Sequence, residues 1–279
     1  MYHLFNNQGI IDMSFFIGFY ISCTAIDDDE KNSSSIIEVS EELVLEPLFL
    51  IPERPFDMTL DSDYTLLISA DASGKLYRWD GLELAEEQGF YSDIQAIMVH
   101  DEKLFYTTTD NGVTGALHED GQEPLITQSS EGTLLRWPVD LISLDDDTLL
   151  LADYNAGLLF GYEDGGISQT FEAGSQTPQA LANINDNIYI GGEDGVWLKE
   201  DLQSTATLID ERPANGLVVH QGIVYAANAQ DGIFVVEGIS HPLPSDIGRP
   251  STLLIQENML YVIDQVSRSI WTTEIPSTQ

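Results

Sequence analysis

The chain has 279 residues and carries 47 acidic against 10 basic side chains, a formal charge of −37. With four lysines and six arginines it lacks the clustered cations that displace counterions from phosphate, which excludes nucleic acid as a partner and disfavours anionic membrane surfaces. Hydrophobic residues at 43% and aromatics at 9% supply enough apolar material for a packed core, so wholesale disorder is excluded as well.

The first predicted element is apolar. Ile10 to Cys23 reads IIDMSFFIGFYISC, too short for a bilayer span of roughly 20 residues but of the length of a signal-peptide core. Cys23 is the single cysteine, so neither an intramolecular disulfide nor a Cys-rich zinc site can form. Tyr20-Ile21-Ser22-Cys23 resembles a bacterial lipobox, which implies cleavage after Ser22 and a lipid on the Cys23 thiol. The segment has no Lys or Arg before Lys31, and Tyr20 stands where that motif favours Leu. Thr24 to Ser40, with Asp27, Asp28, Asp29, Glu30 and a run of serines, hydrates readily and buries nothing. The predicted organisation is a lipoprotein signal peptide over 1–23, an acidic Ser-rich tether over 24–40 and a folded body over 41–279. Such a chain is extracytoplasmic, periplasmic or at the cell surface, and touches the membrane only through its lipid anchor.

The body repeats. Six strand-turn-strand units begin at Thr65, Lys103, Thr148, Asn187, Ile223 and Met259, with turn residues Gly74, Gly112, Gly157, Gly195, Gly232 and Ser269 spaced 38, 45, 38, 37 and 37 apart. Runs such as Leu66-Leu67-Ile68, Ile188-Tyr189-Ile190 and Leu260-Tyr261-Val262-Ile263 are short, β-branched or aromatic, and bounded by turn residues. Before most units stands another apolar stretch opened by proline (Pro55, Pro138, Pro178, Pro213, Pro250), a residue suited to the start of a strand. A fourth segment follows most units, as at Glu123 to Ile126 and Ala206 to Ile209. The last unit lacks one, and Glu46 to Leu50 has the missing pattern. The predicted fold is therefore all-β, a six-bladed β-propeller with four-stranded blades in which an N-terminal strand at about 43–51 closes the last blade and removes the open edge.

With the repeats aligned, Ile51-Pro-Glu-Arg-Pro-Phe-Asp-Met, Leu66-Leu-Ile-Ser-Ala-Asp and Gly74-Lys-Leu-Tyr-Arg-Trp-Asp80 resemble the first blade of the gluconolactonase family (senescence marker protein, regucalcin). Pro213-Ala-Asn-Gly-Leu217 is similar to that family's Pro-Asn-Gly-Leu with one insertion, and the repeat pattern is shared by NHL-like six-bladed scaffolds. The resemblance implies a divalent cation in the central channel, held by Glu53 and Asn215, with an aspartate from the sixth blade as further ligand and base. At that last position this chain reads Arg249-Pro250-Ser251-Thr252, and neither hydroxyl acts as a carboxylate base.

Inner strands line the channel of a propeller, so residues just after each proline gather at one mouth: Asp57, Gln95, Asp140, Ala180, Asn215 and Thr252. Asp57, Asp140 and Asn215, with Glu53, offer hard oxygens for Ca²⁺ or another divalent cation; capping of strand ends is the competing role. Four of the six arginines (Arg54, Arg136, Arg212, Arg249) share one repeat position. They are read either as a site for an anionic ligand or as internal ion-pair partners of Asp57, Asp140 and Glu53. The leading expectation is a monomeric propeller that presents its face to a protein or small-molecule ligand. A divalent-metal-dependent lactonase or esterase-like hydrolase with a degenerate site is the alternative.

Overall fold

The computed structural model describes residues 43–70, 74–87, 93–120, 122–144, 148–163, 166–241, 243–244 and 246–275. The lipobox, Cys23 and the tether lie outside these residues. The described strands form six antiparallel sheets, each built from chain-consecutive strands except where the ends of the chain meet. Blade 1 runs Pro55–Leu60, Leu66–Ala70, Lys75–Trp79, Leu84–Glu87, and blades 3, 4 and 5 repeat that four-strand meander from Pro138, Pro178 and Gly216. The six innermost strands contact one another in sequence around a closed ring.

Closure occurs as the pattern predicts. Glu46–Leu50 adds to Ser269–Glu274 as the outer strand of blade 6, with Ile51 N–H donating to the Arg268 carbonyl at 2.7 Å. The strand is anchored on both sides, since Leu43 and Leu45 are buried between blades 5 and 6 and Ile51 between blades 6 and 1. Apolar side chains collect into six clusters, one between each pair of neighbouring blades. Phe160, Leu151 and Leu117 lie between blades 2 and 3, and Phe234, Val224 and Ala226 between 4 and 5. Strands buried on both faces explain the apolar runs Leu66–Ile68, Leu149–Ala152 and Ile223–Ala227 within the second strands of blades 1, 3 and 5.

Two details differ from the sequence pattern. Blade 2 has three strands, Ile94–His100, Lys103–Asp110 and Thr114–Glu119. Residues 123–126 form no fourth strand, because the chain folds back through a turn at Ser129–Gly132. The outer edge is then met twice, Leu117 bonding Leu125 and Ile126 while Gly115 N–H donates to the Leu135 carbonyl. In blade 6 the left-handed turn residue is Arg268 (φ 58°), one place before Ser269, where other blades use glycine, as at Gly74 and Gly157 (both φ 66°). Gly232 carries a second constraint, because a Cβ there would sit 2.2 Å from the His241 carbonyl oxygen.

Two of the acids are structural. Asp153 and Asp264 end the second strands of blades 3 and 6 and are fully buried. Asp153 accepts from the backbone N–H groups of Trp137, Asn155 and Ala156 and, at 2.5 Å, of Arg136. Asp264 accepts from the N–H groups of Gly248, Arg249 and Val266 and the hydroxyl of Ser267. Each carboxylate thus ties the loop entering an inner strand to the next turn of the same blade. Asn228 has the same place in blade 5, accepting from Gln230 and Asp231 and donating to the Pro213 carbonyl.

Candidate functional site

An innermost strand has a sheet neighbour on one side only, so its other edge turns open N–H and C=O groups toward the channel. Pairing between first and second strands also slips near the start of the inner strand in blades 1, 2, 3, 4 and 6, at Pro55/Met58, Ile94/Ala96, Pro138/Asp140, Pro178/Ala180 and Pro250/Leu253. These bulges bend the strand and re-aim the side chains beside them. The residues there stitch blade to blade. Asp57 accepts from Ile97 N–H of blade 2 at 2.8 Å, and Asp140 from Leu181 N–H of blade 4 at 2.5 Å. Thr107 donates to the Pro138 carbonyl at 2.8 Å, and Thr252 to the Phe56 carbonyl at 3.1 Å. In blade 5 the equivalent is Asn215-Gly216. A Cβ on Gly216 would lie 2.3 Å from the Ser251 carbonyl oxygen, so glycine is what lets the inner strand of blade 6 pass close by.

Two cavities of about 510 and 540 Å³ follow the channel and share Val139, Gln179, Asn215, Ser251 and Thr252 as a collar. The 510 Å³ cavity is a bowl at the proline-opened ends of the inner strands. Its wall on blade 3 is aromatic: Trp137 and Tyr154 meet edge to face at 5.3 Å, Trp137 Nε1–H donates to Gln95 Oε1 at 2.8 Å, and the Tyr154 hydroxyl donates to Glu193 Oε1 at 2.8 Å. On blades 1 and 6 the wall is cationic, with Arg54 and Arg249. Arg54 lies over the Phe56 ring at 5.5 Å and donates to Gln265 Oε1 at 2.9 Å. The Arg249 side chain is exposed and has no hydrogen-bond or ion-pair partner among the described residues.

The 540 Å³ cavity is the lumen below the collar, where Asp57 and Asp140 lie among Ile97, Leu181, Val218 and Leu253. Burial pushes the Asp57 carboxyl up to about 8, helped by the charge of Asp140 and opposed by the Ile97 and Met58 N–H groups. Burial raises Asp140 to about 6 against the N–H groups of Leu181 and Leu141. Asp140 keeps partial access to channel water although protein surrounds it, and this fits its smaller rise.

The predicted channel residues therefore converge, but the predicted ligand sets separate. Asp57, Asp140 and Asn215 share the lumen cavity, whereas Glu53 lines neither cavity and pairs with Lys75 Nζ at 2.9 Å. Asn215 donates through Nδ2 to the Pro250 carbonyl at 3.4 Å. No three His, Cys, Asp or Glu side chains converge on a common point among the described residues. Of the four arginines, two reach the bowl. Arg212 is held by Asp210, two residues earlier, through Nε at 2.9 Å and Nη2 at 2.5 Å, and stacks on Phe234 at 4.1 Å. Burial works against ionising Asp210, yet that guanidinium and the N–H groups of Arg212 and Glu237 hold its carboxyl below the usual range. Arg136 is exposed and lines neither cavity. Sequence reasoning missed Trp137, Tyr154, Gln179 and Gln265. Trp137 carried a signal, since it sits between an arginine and a strand-opening proline.

No family model and no curated protein matches this chain. Solved structures do. The chain is similar to a gluconolactonase from Xanthomonas campestris at 14% identity and a TM-score of 0.68, over 88% of this chain and 94% of that one. It is similar to virginiamycin B lyase from Staphylococcus aureus at 10% identity and a TM-score of 0.58, over 84% and 100% of the two chains. A third likeness is to the extracellular domain of a hybrid two-component system of B. thetaiotaomicron, at 12% identity and a TM-score of 0.59, over 86% of this chain and 40% of that one. At these identities the likeness is one of fold: this chain is a divergent six-bladed propeller of the kind seen in gluconolactonase and virginiamycin B lyase.

Proposed function

We propose that this propeller is a non-catalytic binding module that takes a small anionic ligand into the bowl, in an exported protein held at the membrane through Cys23. The observation that supports it most is Arg249, an unpaired guanidinium lining the same cavity as Arg54 in a chain of charge −37. Unlike Arg249, the cations of Arg78, Lys75, Lys103 and Arg212 all have carboxylate partners. Guanidinium groups bind carboxylate or phosphate through paired hydrogen bonds, and a recess with low-dielectric walls strengthens the attraction. The Trp137–Tyr154 wall supplies apolar contact, and Gln95, Gln179 and Asn215 supply amide groups.

Calorimetry with a panel of small carboxylates and phosphates tests the reading. Arg249→Gln is expected to weaken binding at least tenfold without changing the melting temperature. Arg212→Ala should do the reverse, lowering the melting temperature by several degrees and leaving affinity intact. Binding indifferent to both Arg249→Gln and Arg54→Gln would remove the bowl as the site. For the address, mass spectrometry of the membrane fraction is expected to find a lipid on Cys23; a free thiol there ends that part.

The fold likeness to gluconolactonase favours a second reading, a metal-dependent lactonase or esterase. It would draw its oxygen ligands for Ca²⁺ or another divalent cation from Asp57, Asp140 and Asn215. Their fit is poor, because Glu53 is engaged by Lys75 and both aspartates already accept backbone N–H groups. Calcium binding lost in Asp57→Asn and Asn215→Ala, together with lactone hydrolysis, would promote it.

A further inference from the structure

Charge along the channel changes sign. Arg54 and Arg249 stand in the bowl on the blade 1 and blade 6 side, while Asp57 and Asp140 lie beyond the collar in the lumen. The bowl's own acids, Asp93 and Glu193, belong to blades 2 and 4, so its cationic wall is confined to one side. At the collar, Ser251 is 9% exposed and its Oγ makes no hydrogen bond, although it borders both cavities. A buried hydroxyl without a partner costs roughly 1–3 kcal/mol, and of the four such side-chain atoms among the described residues Ser251 Oγ is the one in a residue that borders both cavities. Beside it the Asn215 amide and the edges of the inner strands offer further donors and acceptors.

We propose that the channel binds a short zwitterion, a peptide of two or three residues, with its carboxylate toward Arg54 and Arg249 and its ammonium toward Asp57 and Asp140. The proposal rests on the reading of the bowl as an anion-binding site and adds the cationic end. Spacing favours a peptide over a single amino acid. Arg54 and Asp57 are three residues apart at the head of one inner strand, about 10 Å of extended chain, less what the bulge removes. The two charges of an α-amino acid lie a few bonds apart and cannot meet both groups. An extended dipeptide or tripeptide spans roughly 7–10 Å. Its amide groups would find the open edges of the inner strands, which is how extended peptides satisfy strand edges elsewhere, and a small rotation of the Ser251 side chain would bring its hydroxyl to them. An ammonium among the two aspartates also favours their ionised forms, offsetting the burial that opposes ionisation.

The test is calorimetry of the full chain with Ala-Ala and Ala-Ala-Ala, each free, N-acetylated, and as the C-terminal amide. The expected result is binding of at least one free peptide, weakened tenfold or more by either block. In Asp57→Asn, which keeps an acceptor for Ile97 N–H, the penalty for N-acetylation should shrink, while in Arg249→Gln the penalty for amidation should shrink. Equal affinity of free and N-acetylated peptides in the wild-type chain overturns the proposal, and this arm needs no variant to fold. If the N-acetylated peptide binds equally well and Arg249→Gln abolishes it, the anion site stands and the zwitterion falls. Absence of heat with every peptide at millimolar concentration also overturns the zwitterion, and the carboxylate and phosphate panel then judges the bowl by itself.

Discussion

Asp264→Ala is expected to lower the melting temperature by roughly 10 °C. The fully buried carboxylate accepts from Gly248 N–H at 2.9 Å, Arg249 N–H at 2.9 Å, Val266 N–H at 3.0 Å and the Ser267 hydroxyl at 2.6 Å. Burial alone would raise its pKa, but these donors outweigh it and hold the group below the usual carboxylate range. Alanine removes all four acceptor contacts at once. Each stranded donor costs about 1–3 kcal/mol, toward the low end here because Gly248, Arg249 and Val266 lie in exposed turns where water replaces part of the loss. A total of about 3–5 kcal/mol follows, and at 2–4 °C per kcal/mol for a domain of this size the shift is easily measured by calorimetry. Asp264→Asn keeps one acceptor and should fall between the two. Because the same carboxylate positions the backbone of Arg249, ligand binding in the bowl should weaken alongside. A drop under about 3 °C would show that water already serves these donors.

The architecture was legible because a propeller writes its period into the chain. Turn glycines at similar spacing, prolines that open inner strands and an orphan strand pattern at Glu46 to Leu50 each follow from backbone requirements, and those requirements are local. Channel positions were legible for the same reason, since Asp57, Asp140, Asn215 and Thr252 occupy one repeat place at the heads of the inner strands of blades 1, 3, 5 and 6. Side-chain pairing was not legible. The shared repeat position of Arg54, Arg136, Arg212 and Arg249 placed four backbones at equivalent points, but guanidinium groups are long and choose local partners. Asp210 captures Arg212, while Gln265 leaves Arg54 in the bowl. Glu53 left the expected metal set through Lys75, which starts the third strand of blade 1 and becomes its neighbour only once the blade is folded. The fourth place of blade 2 was misjudged because the 45-residue spacing hid a second turn at Ser129–Gly132. The strand-ending acids and their amide counterpart had a signal that repeat alignment exposes, as Ala152-Asp153, Ala227-Asn228 and Ile263-Asp264 close equivalent strands.

The chain is expected to melt several degrees lower at pH 8.5 than at pH 5.5, with Asp57 the main cause. Its carboxyl is raised from 3.8 to about 8 in the folded protein, so between those values the native state binds a proton that the unfolded chain has released. Stability from this group is full below pH 4 and lost as pH climbs toward 8, and Asp140, raised to about 6, adds a smaller loss over the lower part of that range. A shift of this size corresponds to a few kcal/mol. Asp61, Asp210 and Asp264 act oppositely, because their lowered values cost stability only as pH falls below about 4. Asp57→Asn separates the causes. Asparagine still accepts from Ile97 N–H but cannot place a second negative charge beside Asp140, so the variant should melt higher than wild type at pH 8.5, near it at pH 5.5, and with a flatter slope between. Parallel slopes would mean that the lumen carboxyls are better hydrated than their burial implies, and that the alkaline loss comes from elsewhere in a chain of charge −37.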